Sequence, residues 1–535
     1  MNALVNDTTT CRSGSPVTRP MRTPDFLSTD HLRRNLTTRS VRGGVLTVGT
    51  NGIKFLLQLG STAILARLLV PADFGLIAMV TAVVGLLSTI KDGGLSMATV
   101  QRADITQDQV SNLFWVNLIL GALLFIAAAA LSPAIAWFYN EPKLIGITLV
   151  ISLSFFFIGL SVQHQALLQR QMQYVKLTAI QTAALAASVG SAIVLAAYGA
   201  GYWSLVMMHV VDGFVTALLS WILCPWFPGL PRRGAGTRKM LTFGGNLSAA
   251  GVLEYLSRNL DNILIGRVAG AGPLGFYNRA YSLLLLPVQQ INWPLTSVAI
   301  PALSALQKDP ESYRGYYKNA LEIMAFAGMP LIVWLFIAAE EIILLVLGSQ
   351  WQNAVIFFRA LGPAAFMATT SVATSWVFIT SGHTERLLKW GLFANTCCCL
   401  CIVLGLPWGP LGVALSVSIS RMILKVPGLW YCYQETDIRL KDYWDSTWKP
   451  TISSIAAGVA LFSIMTLLPL SVEHPAFQLG LISIGYLTFY VGIFNLLPHG
   501  HARFGRILKS LRSSLQLKPD DDVMDRDDVA RRAKP

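Results

Sequence analysis

Between Val45 and Leu497 the chain divides into about fourteen apolar segments joined by short linkers, each near the ~20 residues that a helix needs to cross a bilayer. They cover 45–69, 74–90, 112–138, 144–162, 177–197 and 203–224, then 242–266, 277–301, 319–347, 354–380, 387–406 and 412–433, and finally 451–470 and 477–497. The pattern predicts an all-α polytopic membrane protein. Residues 1–44 would form a cytoplasmic tail, 45–224 a first lobe of six spans, 225–241 a cytoplasmic linker, and 242–433 a second six-span lobe. A helix pair, 451–497, and a cytoplasmic tail, 498–535, complete the prediction. No linker has room for a folded extramembrane domain.

Several segments carry charge at mid-depth: Lys54, Glu254, Arg258, Asp261, Arg279 and Arg421. A charge at the centre of a spanning helix costs ~2.5–3.5 kcal/mol on insertion scales, so such residues turn toward a protein interior or a wet cavity. That is the signature of a transporter more than of a receptor or an anchor. Cations also mark alternate linkers, as at Arg33, Arg34, Arg39 and Arg42, then Lys91 and Arg102, then Arg170 and Lys176, and onward to Arg503, Arg506, Lys509 and Arg512. The intervening linkers hold only Arg67, Lys143 and Arg267. Positive linkers stay cytoplasmic, which predicts an even number of spans with both termini inside.

The two halves repeat. Arg67 is followed eight residues later by Gly75, and Arg267 by Gly275 at the same distance; Thr47-x-Gly49-x-Asn51 is echoed by Thr242-x-Gly244-x-Asn246. Gly199-x-Gly201 is loosely matched by the stretch Gly409 to Gly412. Six spans separate the copies, so both enter the membrane the same way round, and a parallel repeat of this kind places substrate between two bundles.

Polar residues within the spans share helix faces. Asn51, Lys54, Gln58 and Ser61 lie at i, i+3, i+7 and i+10, while Glu254, Arg258 and Asp261 lie at i, i+4 and i+7. Glu254 and Asp261 are each within helical reach of Arg258, so an internal ion-pair network competes with a ligand-binding role. Lys54 has no acid at helical spacing in its own span, which makes it and Arg258 the candidate cations for an anionic ligand. Pro287, Pro294 and Pro301 recur every seven residues in the eighth segment, with Gln289, Gln290 and Asn292 among them. Each proline removes a backbone donor, so this segment is expected to bend and to gate, its amides meeting freed carbonyls or a polar substrate.

Composition narrows the class further. Of 535 residues 53% are hydrophobic and 13% charged, about half the charge of a soluble chain of this length. The net charge of +13 is explained by topology, because no basic stripe with interleaved aromatics suggests nucleic acid. The seven cysteines include Cys397, Cys398, Cys399 and Cys401 in one apolar segment, without the second pair or histidines of a zinc site. They read as small packing residues, and no metal or cofactor is expected. No GxxxxGK[ST] loop indicates ATP hydrolysis. Residues 1–32 lack the apolar core of a signal peptide and read as a disordered tail, as does the end of the chain with Asp520, Asp521 and Asp522.

Several stretches carry a family likeness: Arg67-LLVPADFGLIAM, Asp92-GGLSMATVQR, LLQRQMQY around Arg170, SRNLDNILIGR ending at Arg267, and FYNRAYSLLLLPVQQINWPLTSVAIPALSALQ. From about residue 36 to about 445 the chain resembles the polysaccharide-transporter branch of the multidrug/oligosaccharidyl-lipid/polysaccharide flippase superfamily, of the colanic-acid and lipopolysaccharide-biosynthesis exporter type. The resemblance implies two six-helix lobes in a V, with two peripheral helices, in a bacterial inner membrane. It implies alternating access for an undecaprenyl-diphosphate-linked oligosaccharide, with membrane lipids, a polysaccharide polymerase and glycosyltransferases of the same pathway as partners. At matched positions it implies substrate roles for Arg258 and Asp261; Arg279, Gln289 and Asn292 join the candidate set within the eighth-segment motif. Two rival readings remain, a drug/cation antiporter of the same superfamily and a membrane polymerase or glycosyltransferase. Lys54 disfavours the first, and the short linkers disfavour the second.

Overall fold

A computed structural model describes residues 36–92, 99–100, 105–232, 238–467, 475–498, 500–501 and 503–505. The expectations for the N-terminal tail up to residue 35, for Cys11 and for the acidic run at Asp520–Asp522 lie outside these residues, as do the side chains of Thr47, Thr242, Gly244 and Asn246. Every element among them is helical. The first half holds α1 (Leu36–Leu68), α2 (Pro71–Asp92), α3 (Gln107–Tyr139), α4 (Lys143–Arg170), α5 (Tyr174–Ala197) and α6 (Tyr202–Leu223). The second holds α7 (Arg238–Ala269), α8 (Ala271–Ala305), α9 (Pro310–Ile337), the short α10 (Ala339–Val346), α11 (Ala354–Thr380), α12 (Thr384–Gly405) and α13 (Gly409–Tyr433). Two more, α14 (Leu440–Leu467) and α15 (Pro475–Leu496), follow.

Among the described residues eleven stretches are long and apolar enough to cross a membrane, one of them, Thr384–Tyr433, joining α12 and α13. The long helices outside this set are α1 and α7, the two that carry the polar stripes. The segment expected at 319–347 divides after Ile337 into α9 and α10, where Glu340 and Glu341 enter the run. Helix α1 begins at Leu36, so residues assigned to the tail extend the first helix.

Local chemistry sets the ends. Thr106 and Gln109 form a reciprocal capping box at the start of α3, and Asn140 closes it in the left-handed region at φ 55°. The predicted linker 225–241 is partly strapped to the first bundle. Trp226 Nε1 donates to Gln107 Oε1 at 2.7 Å, and Asn112 exchanges two hydrogen bonds of 2.7 and 2.9 Å with the Arg232 backbone. Residues 238 onward already belong to α7.

Packing separates the bundles at one end and joins them at the other. Cores near the ends bearing the basic linkers are distinct, one around Val110, Phe114, Leu167 and Trp226, the other around Leu303, Tyr317, Trp376 and Tyr433. At the opposite end one continuous core runs from Ala66, Phe74 and Met79 through Ile265 and Leu274 to Leu347 and Trp351. Helix α2 packs along both α7 and α8, whereas α1 packs on α5 within its own bundle. Helices α14 and α15 lie against the outer side of α9. Tyr490 Oη donates to the Phe326 carbonyl at 3.0 Å and fixes α15 there.

Candidate functional site

Each polar stripe is split by its neighbours. On α1, Asn51 and Lys54 are half-buried, Gln58 is exposed and Ser61 is buried. Lys54 Nζ reaches Gln181 Oε1 on α5 at 2.6 Å. Among the described residues no carboxylate lies within ion-pair distance of this ammonium, so its charge meets only a neutral amide.

On α7 the three charged residues do not act as one network. Arg258 pairs with Glu254 at 2.6 Å, and both are exposed. Asp261 is instead 4% exposed and turned into α8, where Tyr277 Oη donates to Oδ2 at 2.6 Å and the Asn262 amide donates to Oδ1 at 2.7 Å. A further bond, Asn278 Nδ2 to Asn262 Oδ1 at 3.2 Å, ties the same two helices. The i+3 step that brings Asp261 within range of Arg258 also points it at the α7–α8 seam, and the buried tyrosine wins. Asp261 therefore positions α8 rather than compensating Arg258.

Arg258 lines a cavity of about 190 Å³ inside the second bundle, together with Arg421 and Lys425 from α13. Polar side chains, including Ser371 and Thr374 of α11 and Asn395 of α12, share its wall with apolar ones such as Phe378, Trp390 and Leu424, and no Asp or Glu lines it. Lys425 Nζ donates to Thr370 Oγ1 at 3.0 Å and Ser371 Oγ at 3.2 Å, with the Tyr443 ring 5.3 Å away. Of the three cations, Arg258 keeps Glu254 as its ion-pair partner while Lys425 is held by hydroxyl oxygens, and the attraction of such charges for an anion is stronger in a low-dielectric cavity than at a wet surface. Arg421 was flagged by its depth. Lys425 was not, although its i+4 step from Arg421 in an apolar span carries the signal.

On α8, Arg279 lies with its guanidinium 4.5 Å from the Phe74 ring of α2, its Nε buried without a hydrogen-bond partner. It sits at the junction of the bundles, away from the cationic cavity. Pro287, Pro294 and Pro301 all lie inside one helix of 35 residues, so they do not divide it. Gln289 is exposed, and Asn292 keeps a buried Oδ1 with no internal partner. Among the described residues no cluster of three or more His, Cys, Asp or Glu is arranged to hold a metal, and the six described cysteines are free.

Helices packed as two bundles, sharing one core at one end and holding several cations at mid-span, define a multi-pass membrane protein of the transporter class. The chain belongs to the polysaccharide biosynthesis protein family, whose model matches residues 64–356. It is 26% identical over 376 residues to the lipopolysaccharide biosynthesis protein WzxC of Escherichia coli K12, covering 69% of this chain and 75% of that protein. It is likewise 26% identical over 392 residues to the teichuronic acid biosynthesis protein TuaB of Bacillus subtilis 168, covering 73% and 80%. Among solved structures, the lipid II flippase MurJ in an inward closed conformation superposes with a TM-score of 0.69 at 15% identity, covering 84% of this chain and 98% of that one. The last likeness establishes the fold.

Proposed function

We propose that this protein is a flippase that moves an undecaprenyl-diphosphate-linked oligosaccharide across the bacterial inner membrane for exopolysaccharide or lipopolysaccharide synthesis. The lobes would be 45–224 and 242–433, opening alternately to the two sides, with both termini in the cytoplasm. The observation that carries this reading is the cavity that brings Arg258, Arg421 and Lys425 together with serine and threonine hydroxyls and with no carboxylate in its wall, Glu254 pairing Arg258 from outside it. A diphosphate needs such cations, sugars need hydroxyls and amides, and a drug/cation antiporter would need acids where these cations stand. Lys54 and Gln181 offer a second polar point across the interior. The polyprenyl tail would stay in lipid.

The relatives named for polysaccharide biosynthesis support the pathway, and the polymerase and glycosyltransferases that supply and consume the repeat unit would be partners. The experiment is deletion of the gene followed by lipid analysis. Loss of surface polymer with accumulation of the complete lipid-linked repeat unit is expected. Accumulation of incomplete units would instead assign a glycosyltransferase role.

A further inference from the structure

Neither copy of the duplicated Arg-x7-Gly element lines the cationic cavity, yet both meet where the bundles share a core. Gly75 and Gly275 lie at a backbone crossing of α2 and α8. A Cβ on Gly75 would stand 1.7 Å from the Ala271 carbonyl oxygen, and one on Gly275 would stand 1.9 Å from that of Pro71. No side chain fits between two such backbones, so only glycine allows this approach.

The arginines cross reciprocally. Arg67, at the end of α1, donates through Nη2 to the Leu345 carbonyl of α10 at 2.6 Å. Arg267, at the end of α7, places its guanidinium 5.8 Å from the Phe138 ring of α3. Around them the second bundle caps the first. The Ala66 and Leu69 carbonyls, freed where α1 ends, accept from Trp351 Nε1 at 2.8 Å and Gln350 Nε2 at 3.1 Å respectively. Gln350 also donates to the Ala66 carbonyl. The Trp351 ring stands edge-on to Phe74 of α2 at 5.3 Å and to Phe276 of α8 at 5.8 Å.

We propose that this pseudo-twofold contact is a releasable latch that closes the interior at the end away from the basic linkers, a proposal that rests on the alternating-access reading above. Its acceptors suit release. The capped carbonyls terminate helices, so water can satisfy them when the bundles part and no buried orphan is left behind. The close glycine crossing, by contrast, favours the closed state through shape alone, without a charge pair that separation would strand.

The test places spin labels at Val70→Cys and Val268→Cys, both on exposed positions flanking the crossing, in a background whose seven native cysteines are alanine. Distances are read in lipid nanodiscs. The parent should give mainly a short distance, and Gly275→Val should move the population to a longer one. The pair Gln350→Ala with Trp351→Phe, which removes donors while leaving the glycines, should add a longer component and decides the matter if Gly275→Val does not fold. An unchanged distribution in a folded variant would overturn the latch. Because the readout needs no substrate, longer distances in the variants, alongside a parent protein that moves no lipid-linked oligosaccharide, would uphold the latch and remove the flippase reading instead.

Discussion

Lys425→Met isolates one charge of the proposed phosphate site. The side chain keeps its length and loses only the ammonium, whose present partners are the neutral oxygens of Thr370 and Ser371 at 3.0 and 3.2 Å. Neither is orphaned by the change. Thr370 retains the Tyr443 hydroxyl at 3.0 Å, and Ser371 retains the Met367 carbonyl at 2.6 Å. Removing a charge from a spanning helix relieves an insertion cost of ~2.5–3.5 kcal/mol, so abundance should be normal or higher. A charge-assisted contact to phosphate contributes ~1.5–3 kcal/mol, which converts to a roughly ten- to hundredfold weaker Kd. Arg258 and Arg421 remain in the cavity, so binding should weaken rather than vanish. The assay is equilibrium binding of undecaprenyl diphosphate to protein in nanodiscs, with undecaprenol as the uncharged control. Weaker binding of the diphosphate alone is expected. Equal affinity of the parent and Lys425→Met for the diphosphate would refute the site.

Tyr277→Phe removes the 2.6 Å hydrogen bond to Asp261 at a fully buried position; the loss of one bond to a buried carboxyl should cost ~1.5–3 kcal/mol, seen as a lower Tm in detergent. An unchanged Tm would show that Asp261 does not hold α7 to α8. Reporter fusions after Pro231 should read cytoplasmic and one after Pro142 periplasmic, as the alternating basic linkers require; reversed signals would invert the membrane sides of the whole account.

The spans were legible because hydrocarbon selects length and apolarity, which the chain displays directly. The repeat was legible too, and its Arg67, Gly75, Arg267 and Gly275 all lie where the bundles meet. Neighbours were not. Helical spacing says which residues share a face, but not whether that face meets a cavity or another helix. Glu254, Arg258 and Asp261 share one stripe, yet the stripe runs from open interior into the α7–α8 seam, so its last member is sealed against Tyr277. The Lys54 partner Gln181 lies on another helix, α5, which spacing within α1 cannot show. Lys425 was hidden for the converse reason, since nothing in its own span distinguishes a lysine held by hydroxyls of α11 from one at a membrane edge.

The central claim, translocation of a lipid-linked oligosaccharide, is tested most directly in reconstituted vesicles. A fluorescent undecaprenyl-diphosphate oligosaccharide is distributed over both leaflets, and an impermeant glycosidase is added outside. With active protein, digestion should proceed past the outer-leaflet fraction as inner-leaflet substrate crosses, and Lys425→Met should slow that second phase. Digestion that stops at the outer-leaflet fraction, as in protein-free vesicles, would contradict the account.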